Sequence, residues 1–173
     1  MINDFFFFYI KIMDTVFFLM LPILGVIMYF VMVHKNTFKE RLIKERLAVD
    51  RRVSSVVDMS APGITYPEVS FRAGRAIAEG EADRGILICG TGVGTAIAAG
   101  KVPGVRAATA HDLITVRGSV ENYDAQILCM GQNVIAAPAA WALIDIWLDL
   151  RHDPTSSYGP KVGEIEAYEA RRA

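Results

Sequence analysis

The spacing of apolar residues changes character along the chain. Val16–Val33, VFFLMLPILGVIMYFVMV, is an uninterrupted apolar run of eighteen residues, just long enough to cross a bilayer as a helix. Lys35, Lys39, Arg41, Lys44 and Arg46 follow at once and would keep the C-terminal side of such a helix in the cytoplasm. The second half of the run, Val26–Val33, is also strand-length and rich in Val, Ile, Tyr and Phe, as a central parallel strand would be. One segment cannot do both, and both readings stay open. A secretory signal fits poorly, for there is neither a basic start nor a small-residue cleavage site. The chain therefore divides into a hydrophobic N-terminal segment, residues 1–33, and a domain over residues 34–173.

Beyond residue 34 the pattern alternates between helical and strand periods. Thr37 to Glu40 reads as a capping box, and Phe38, Leu42, Ile43 and Leu47 recur at helical spacing. Val53–Met59 reads as a strand ended by Ala61-Pro62-Gly63. Pro67 suits the first turn of a helix that carries Val69, Ala73, Ala76 and Ile77 on one face and stops at Gly80. Strands are predicted at Gly85–Cys89, Val105–Ala110 and Ala125–Met130. Helices are predicted from the glycine-rich Gly90–Gly94 through Ala99, over Asp112–Glu121, over Ala137–Leu150 and over Lys161–Arg171. Regular alternation with short links implies an α/β, three-layer αβα sandwich around a central parallel sheet.

Composition narrows the function. The net charge is −1, from 18 basic and 19 acidic residues, so nothing asks for nucleic acid. Hydrophobic residues make up 53%, an excess concentrated in the first 33 residues. The two cysteines, Cys89 and Cys129, form neither a disulfide framework nor a metal pattern. His34, His111 and His152 are scattered without ligand spacing, so no metal is expected.

Cys89-Gly90-Thr91-Gly92-Val93-Gly94 lies between a strand and a helix, beyond the carboxyl end of the strand, where open α/β sheets bind ligands. Glycines let the backbone turn sharply and approach a ligand closely, and free N–H groups at a helix start face an anion. A cysteine there is expected to have a lowered pKa. A thiolate beside a cradle of N–H donors suits removal of a proton next to a carbonyl while the cradle holds the enediolate oxygen. Two plainer readings compete: inert packing for the cysteine and an ordinary tight turn for the glycines. A dinucleotide fingerprint is a third, but Thr95 stands where its last glycine belongs, although Asp112 lies near the distance of a ribose-binding acid.

These residues resemble a known family. Asp83 to Gly94, DRGILICGTGVG, followed by Ala98 to Ala107, AAGKVPGVRA, looks like the core of the ribose-5-phosphate isomerase B and galactose-6-phosphate isomerase family. Thr109-Ala110-His111-Asp112 and Asp124 to Gln132, DAQILCMGQ, resemble a branch associated with tetrulose phosphates such as D-erythrulose 4-phosphate. The resemblance runs from about Phe38 to Tyr168. It implies a Rossmann-like fold, an aldose–ketose isomerase, no metal or cofactor, a small phosphorylated sugar as substrate, a homodimer with sites at the interface, and a cytoplasmic location. Residues 34–173 would be the sugar-phosphate isomerase domain. By position, Cys89 matches the base that moves the proton between two carbons. Thr91, with Gly90, Gly92 and Gly94, matches the loop that cradles the enediolate. Tyr66 matches a tyrosine lining the sugar site, Lys161 a basic residue for the phosphate, and His111 falls among the substrate-binding positions.

The departures are specific. Val33-His34-Lys35-Asn36 replaces the family's acidic Asp-(His/Asp)-Ala-Gly run. Asn122 stands where ribose enzymes have a ring-opening histidine, and an amide is no acid or base near neutral pH. Asn133 replaces a phosphate-binding arginine, which removes a bidentate partner. The expectation is an isomerase of a short sugar phosphate, with a catalytically impaired, membrane-tethered homologue as the alternative and a dinucleotide-binding module as a remote one.

Overall fold

The computed structural model describes residues 41–171, and the residues from Leu42 onward form one unit. The Val16–Val33 run, whether anchor or strand, and the His34 region lie outside the described residues. Among the described residues no helix is long and apolar enough to cross a membrane.

Residues 41–48 are helical (α1). There follow α2 (Tyr66–Ala78), β1 (Gly85–Cys89), α3 (Val93–Ala99), β2 (Ala107–Thr109), α4 (Leu113–Glu121), β3 (Ile127–Gly131), α5 (Ala137–Asp149) and α6 (Gly159–Ala170). The three strands are parallel in the order β1-β3-β2, with Leu87 opposite Cys129 and Cys89 opposite Gly131. All five residues of β3 are buried, as befits a strand covered on both faces and written as the continuous run ILCMG.

Side-chain alternation sorts the helices into two layers. Leu128 and Met130 face one way, with Ile86 and Ile88, and meet Ile43 of α1, Val116 and Val120 of α4, and Ile144 and Trp147 of α5. Ile127, Cys129 and Leu87 face the other way and meet Phe71, Ala73 and Ile77 of α2 and Ala99 of α3. The expected three-layer αβα architecture with a parallel sheet is therefore present. The α2 face includes the small residues Ser70 and Gly74, because that helix packs closely: a methyl group at Gly74 would lie 2.7 Å from Val102 Cγ2.

The predicted elements mostly stand, with ends moved by a residue or two, but Val53–Met59 is not a strand. Its residues have no strand assignment and Val57 is 74% exposed. The Val53 N–H closes a turn on Asp50 O instead of entering a ladder. A strand exists only through a neighbour that takes its N–H and C=O groups, and no described strand lies beside this segment. Arg52 of the same stretch ties to Asp50, Asp145 and Asp149, which holds the turn against α5.

Candidate active site

The chain leaves β1 at Cys89 and enters α3 at Val93, so the glycine-rich link crosses the carboxyl edge of the sheet. Pairing with β3 continues past both strands. Gln132 N–H donates to Cys89 O at 2.8 Å, and Asn133 N–H to Gly90 O at 3.1 Å. Gly92 has φ +82°, and a methyl group there would lie 3.0 Å from Cys129 O and Met130 C. Only glycine accepts both the left-handed backbone and that approach. Gly131 is as tightly placed, since a methyl group on it would meet the Thr91 backbone at 2.6 Å. The link is thus pressed onto the end of β3 and cannot drift from the cysteine.

Cys89 is half-buried, and its sulfur accepts the Gly92 N–H at 3.1 Å and lies 3.6 Å from Thr95 Oγ1. Burial pushes the thiol up. The Thr95 hydroxyl and the amides of Gly92, Thr91 and Thr95 outweigh that and hold it below its ordinary value. The lowering expected for a cysteine at this place is found, with one difference: amides assigned from the sequence to an enediolate are turned first toward the sulfur. Cys129 is fully buried on the same face of the sheet, and burial pushes its thiol up to about 12, so it stays a neutral packing group.

Tyr66 and His111 join this end. A methyl group at Gly94 would lie 2.9 Å from Tyr66 Cε2, so the exposed tyrosine ring rests on the first turn of α3. His111 Nε2 accepts the Gly131 N–H at 2.6 Å, which places the proton of the neutral ring on Nδ1. Thr91 is exposed, and its Oγ1 accepts the Val93 N–H at 3.4 Å. The Asn133 amide lies beside Gly90, with Nδ2 3.6 Å from where a side chain would start.

Asn122 and Lys161 are not brought to this end within one copy of the chain. Asn122 caps the C-terminus of α4, a nine-residue helix that runs back from the carboxyl edge to the start of β3. Nine residues of α-helix span about 13 Å. Lys161 sits over the Tyr158 ring at 4.4 Å, and Tyr158 meets Tyr123 edge to face at 6.0 Å, so both positions belong to the amino edge. Arg106, just before β2, confirms that edge by pairing with Asp124 and with Glu166 of α6.

Two residues beside the thiol were not read as functional from the sequence. Thr95 is 1% exposed and donates to Gly92 O at 3.0 Å; Thr109 donates to the same oxygen at 3.1 Å. Only the folded link shows what they face. Asp112 is the N-cap of α4, where its carboxylate accepts the Thr115 N–H. The Thr115 hydroxyl and amide hold it below the usual carboxylate range. That occupation, together with a buried threonine in place of the third glycine, removes the support for a dinucleotide site. Among the described residues no group of three or more His, Cys, Asp or Glu could hold a metal ion.

Comparison with known proteins agrees with this fold. The model of the ribose/galactose isomerase family matches residues 32–165. A D-erythrulose-4-phosphate isomerase 2 of Mycolicibacterium smegmatis is 49% identical over 136 residues, covering 76% of this chain and 89% of the relative. A ribose-5-phosphate isomerase B of Escherichia coli is 36% identical over 107 residues, 62% of this chain and 71% of the relative. The ribose-5-phosphate isomerase B of Clostridium thermocellum superposes with a TM-score of 0.73 at 35% identity, covering 81% of this chain and 95% of that one. These relatives carry isomerase names and give the dinucleotide reading no support. By sequence, by fold and by the strand–cysteine–glycine link at its centre, the chain belongs to the ribose/galactose isomerase family.

Proposed function

We propose that this chain is an aldose–ketose isomerase of a short sugar phosphate, either a tetrulose 4-phosphate or ribose 5-phosphate. The observation that carries the proposal is the Cys89 sulfur, half-buried at a strand end and held by the Gly92 N–H at 3.1 Å. The thiolate removes the proton from the carbon next to the carbonyl, and the electron pair moves onto the carbonyl oxygen to form a cis-enediolate. The proton of the adjacent hydroxyl passes to the former carbonyl oxygen, and the same thiol returns its proton to the former carbonyl carbon, leaving the new carbonyl on its neighbour. Gly94 precedes the first intrahelical bond of α3, from Ala96 N–H to Gly92 O, so its amide is available to the developing oxyanion together with the Thr91 hydroxyl. Gly90 and Gly92 keep side chains out of the cradle, Tyr66 lines the sugar, and His111 offers Nδ1–H to a substrate oxygen. The M. smegmatis relative, by its name, supports the four-carbon substrate. Asn122 favours the same choice, because an amide supplies no proton to open a furanose ring.

Asn122 and Lys161, at the amino edge, would complete the site only from a second copy, so the working form is a homodimer. A phosphorylated substrate and reactive thiol chemistry also suit a cytoplasmic enzyme. The test is solvent deuterium uptake at the carbon next to the carbonyl, followed by NMR for erythrulose 4-phosphate and for ribose 5-phosphate. Uptake by wild type, with a loss of about 10²–10⁴ in Cys89→Ser, is expected. Equal exchange by the variant would sink the mechanism. Sedimentation of the full chain tests the dimer, and a persistent monomer at micromolar concentration would count against it.

A further inference from the structure

The carbonyl oxygen of Gly92 has more donors than it can use. It accepts the Ala96 N–H at 3.2 Å, the Thr95 hydroxyl at 3.0 Å and the Thr109 hydroxyl at 3.1 Å. A carbonyl oxygen has two lone pairs. One of the three donors is therefore in surplus, and Thr95 has a second acceptor within reach, the Cys89 sulfur at 3.6 Å. A serine or threonine hydroxyl in a helix commonly bonds back to a carbonyl on the preceding turn. That habit explains the Thr95 bond to Gly92 O but not the third donor from β2.

We infer that Thr95 is a positioning residue for the reaction, a buried hydroxyl whose single proton moves between Gly92 O and the Cys89 sulfur as the sulfur gains and loses its own proton. The inference rests on Cys89 being the base proposed above. When Cys89 is a thiol, its S–H donates to Thr95 Oγ1, and Thr95 donates to Gly92 O. When Cys89 is a thiolate, the Thr95 hydroxyl rotates and donates to the sulfur beside the Gly92 N–H. Thr109 and the Ala96 amide then satisfy Gly92 O. No bond between heavy atoms forms or breaks: in the thiol state three donors crowd Gly92 O, and in the thiolate state the surplus one is taken up by the sulfur. Thr95 is 1% exposed, so it reaches the chemistry only through the sulfur.

The surroundings leave this role to neutral dipoles. From β3 the sulfur is faced by the Cys129 thiol, which is buried and uncharged; that thiol also takes the Thr95 hydroxyl as a neighbour. In the segment before α4, His111 is engaged by the Gly131 N–H, and the Asp112 carboxylate, the charged group there, is turned to Thr115. From α2 comes the Tyr66 ring, resting on Gly94. Asn133, beside Gly90, is neutral. The groups that hold the thiol down are the Thr95 hydroxyl and the amides of Gly92, Thr91 and Thr95.

The test reads the thiol itself. The rate of Cys89 alkylation by iodoacetamide is followed by mass spectrometry of the full-length protein between pH 5 and pH 10. Thr95→Val is expected to raise the midpoint by about one pH unit, a tenfold loss of thiolate at the acid end, since a hydrogen bond to a charged group is of that order. Thr95→Ser keeps the hydroxyl and is expected to return most of that shift. Thr109→Val is expected to raise the midpoint less, because Gly92 O then draws the Thr95 proton. An unchanged midpoint in a folded Thr95→Val overturns the inference. Should Thr95→Val fail to fold, Thr109→Val decides in its place: a raised midpoint supports the exchange and an unchanged one refutes it. Alkylation needs no sugar, so the two proposals fail separately. A shifted midpoint in a protein that turns over neither sugar would sink the isomerase reading alone.

Discussion

Tyr66 rests on Gly94 so closely that a methyl group there would lie 2.9 Å from its Cε2. The contact is one-sided, since the tyrosine is 55% exposed and its ring can swing into solvent. Gly94→Ala should therefore displace the ring without unfolding the protein. Alanine in a helix is worth up to about 1 kcal/mol over glycine, so the melting temperature should hold or rise. KM for the sugar phosphate should rise several-fold, with kcat less affected. Gly92→Ala should behave differently. Its left-handed backbone and the fixed main chain at 3.0 Å cannot yield as a side chain does. A loss of about 1–3 kcal/mol is expected by denaturant titration. Equal melting curves for the two variants would contradict this division.

The pH dependence follows from the state of Cys89. In the proposed reaction the active form is the thiolate, and neighbouring donors hold the folded thiol below its ordinary value, against the pull of burial. The profile of kcat/KM should be flat above the folded pKa and fall about tenfold per unit below it. Its midpoint should lie under the value of about 8.5 of a free cysteine. The linkage has a matching sign: a lowered folded pKa adds stability above the unfolded value, and this is lost as pH falls through the folded one. Cys89→Ser should remove that dependence. A profile with its midpoint at or above the free-thiol value would refute the assignment.

The proposed reaction assigns the choice between sugars to Asn122. Asn122→His should raise the rate with ribose 5-phosphate more than with erythrulose 4-phosphate, because only the five-carbon sugar forms a furanose that must open. Steady-state assays of both substrates check this. An equal change in both, or a change confined to the four-carbon sugar, would remove Asn122 from that role.

Arg84 carries an unusual share of the packing at the amino edge. It donates to Trp147 O and Leu150 O, both at 2.5 Å, and its guanidinium lies over the Trp147 ring at 4.7 Å. These carbonyls lie at the C-terminal end of α5, where Trp147 O also accepts the Leu150 N–H at 3.2 Å and Leu150 O also accepts Arg151 at 2.7 Å. Arg84→Met keeps the stem but removes the charged donor from both, while Leu150 N–H and Arg151 remain, and a loss of about 1–2 kcal/mol is expected. Denaturant titration with an unchanged midpoint would show that water replaces the guanidinium without cost.

The comparison of sequence with structure divides along physical lines. Local signals were enough for β1, because a short apolar run closed by a glycine turn reads the same in isolation as in the sheet. They were enough for α4, whose cap Asp112 bonds within its own first turn. The order strand, cysteine, glycines, helix was equally legible, and with it the place of Cys89 at the strand end. Val53–Met59 was misread because its apolar spacing is local, whereas a strand depends on a neighbour the segment itself does not specify. Asn122 and Lys161 were grouped with Cys89 by resemblance. Only the direction of α4 and the ring contacts of Tyr158 put them at the other edge of the sheet. Thr95 and Thr109 lie 14 positions apart, on α3 and β2, and meet at one carbonyl oxygen. Sequence alone determined that a cysteine ends a strand on a glycine-rich link into a helix, and the resemblance made it the candidate base. Tertiary structure decided which hydroxyls surround it and which candidates one chain can bring together, because those depend on distances between elements that no local pattern encodes.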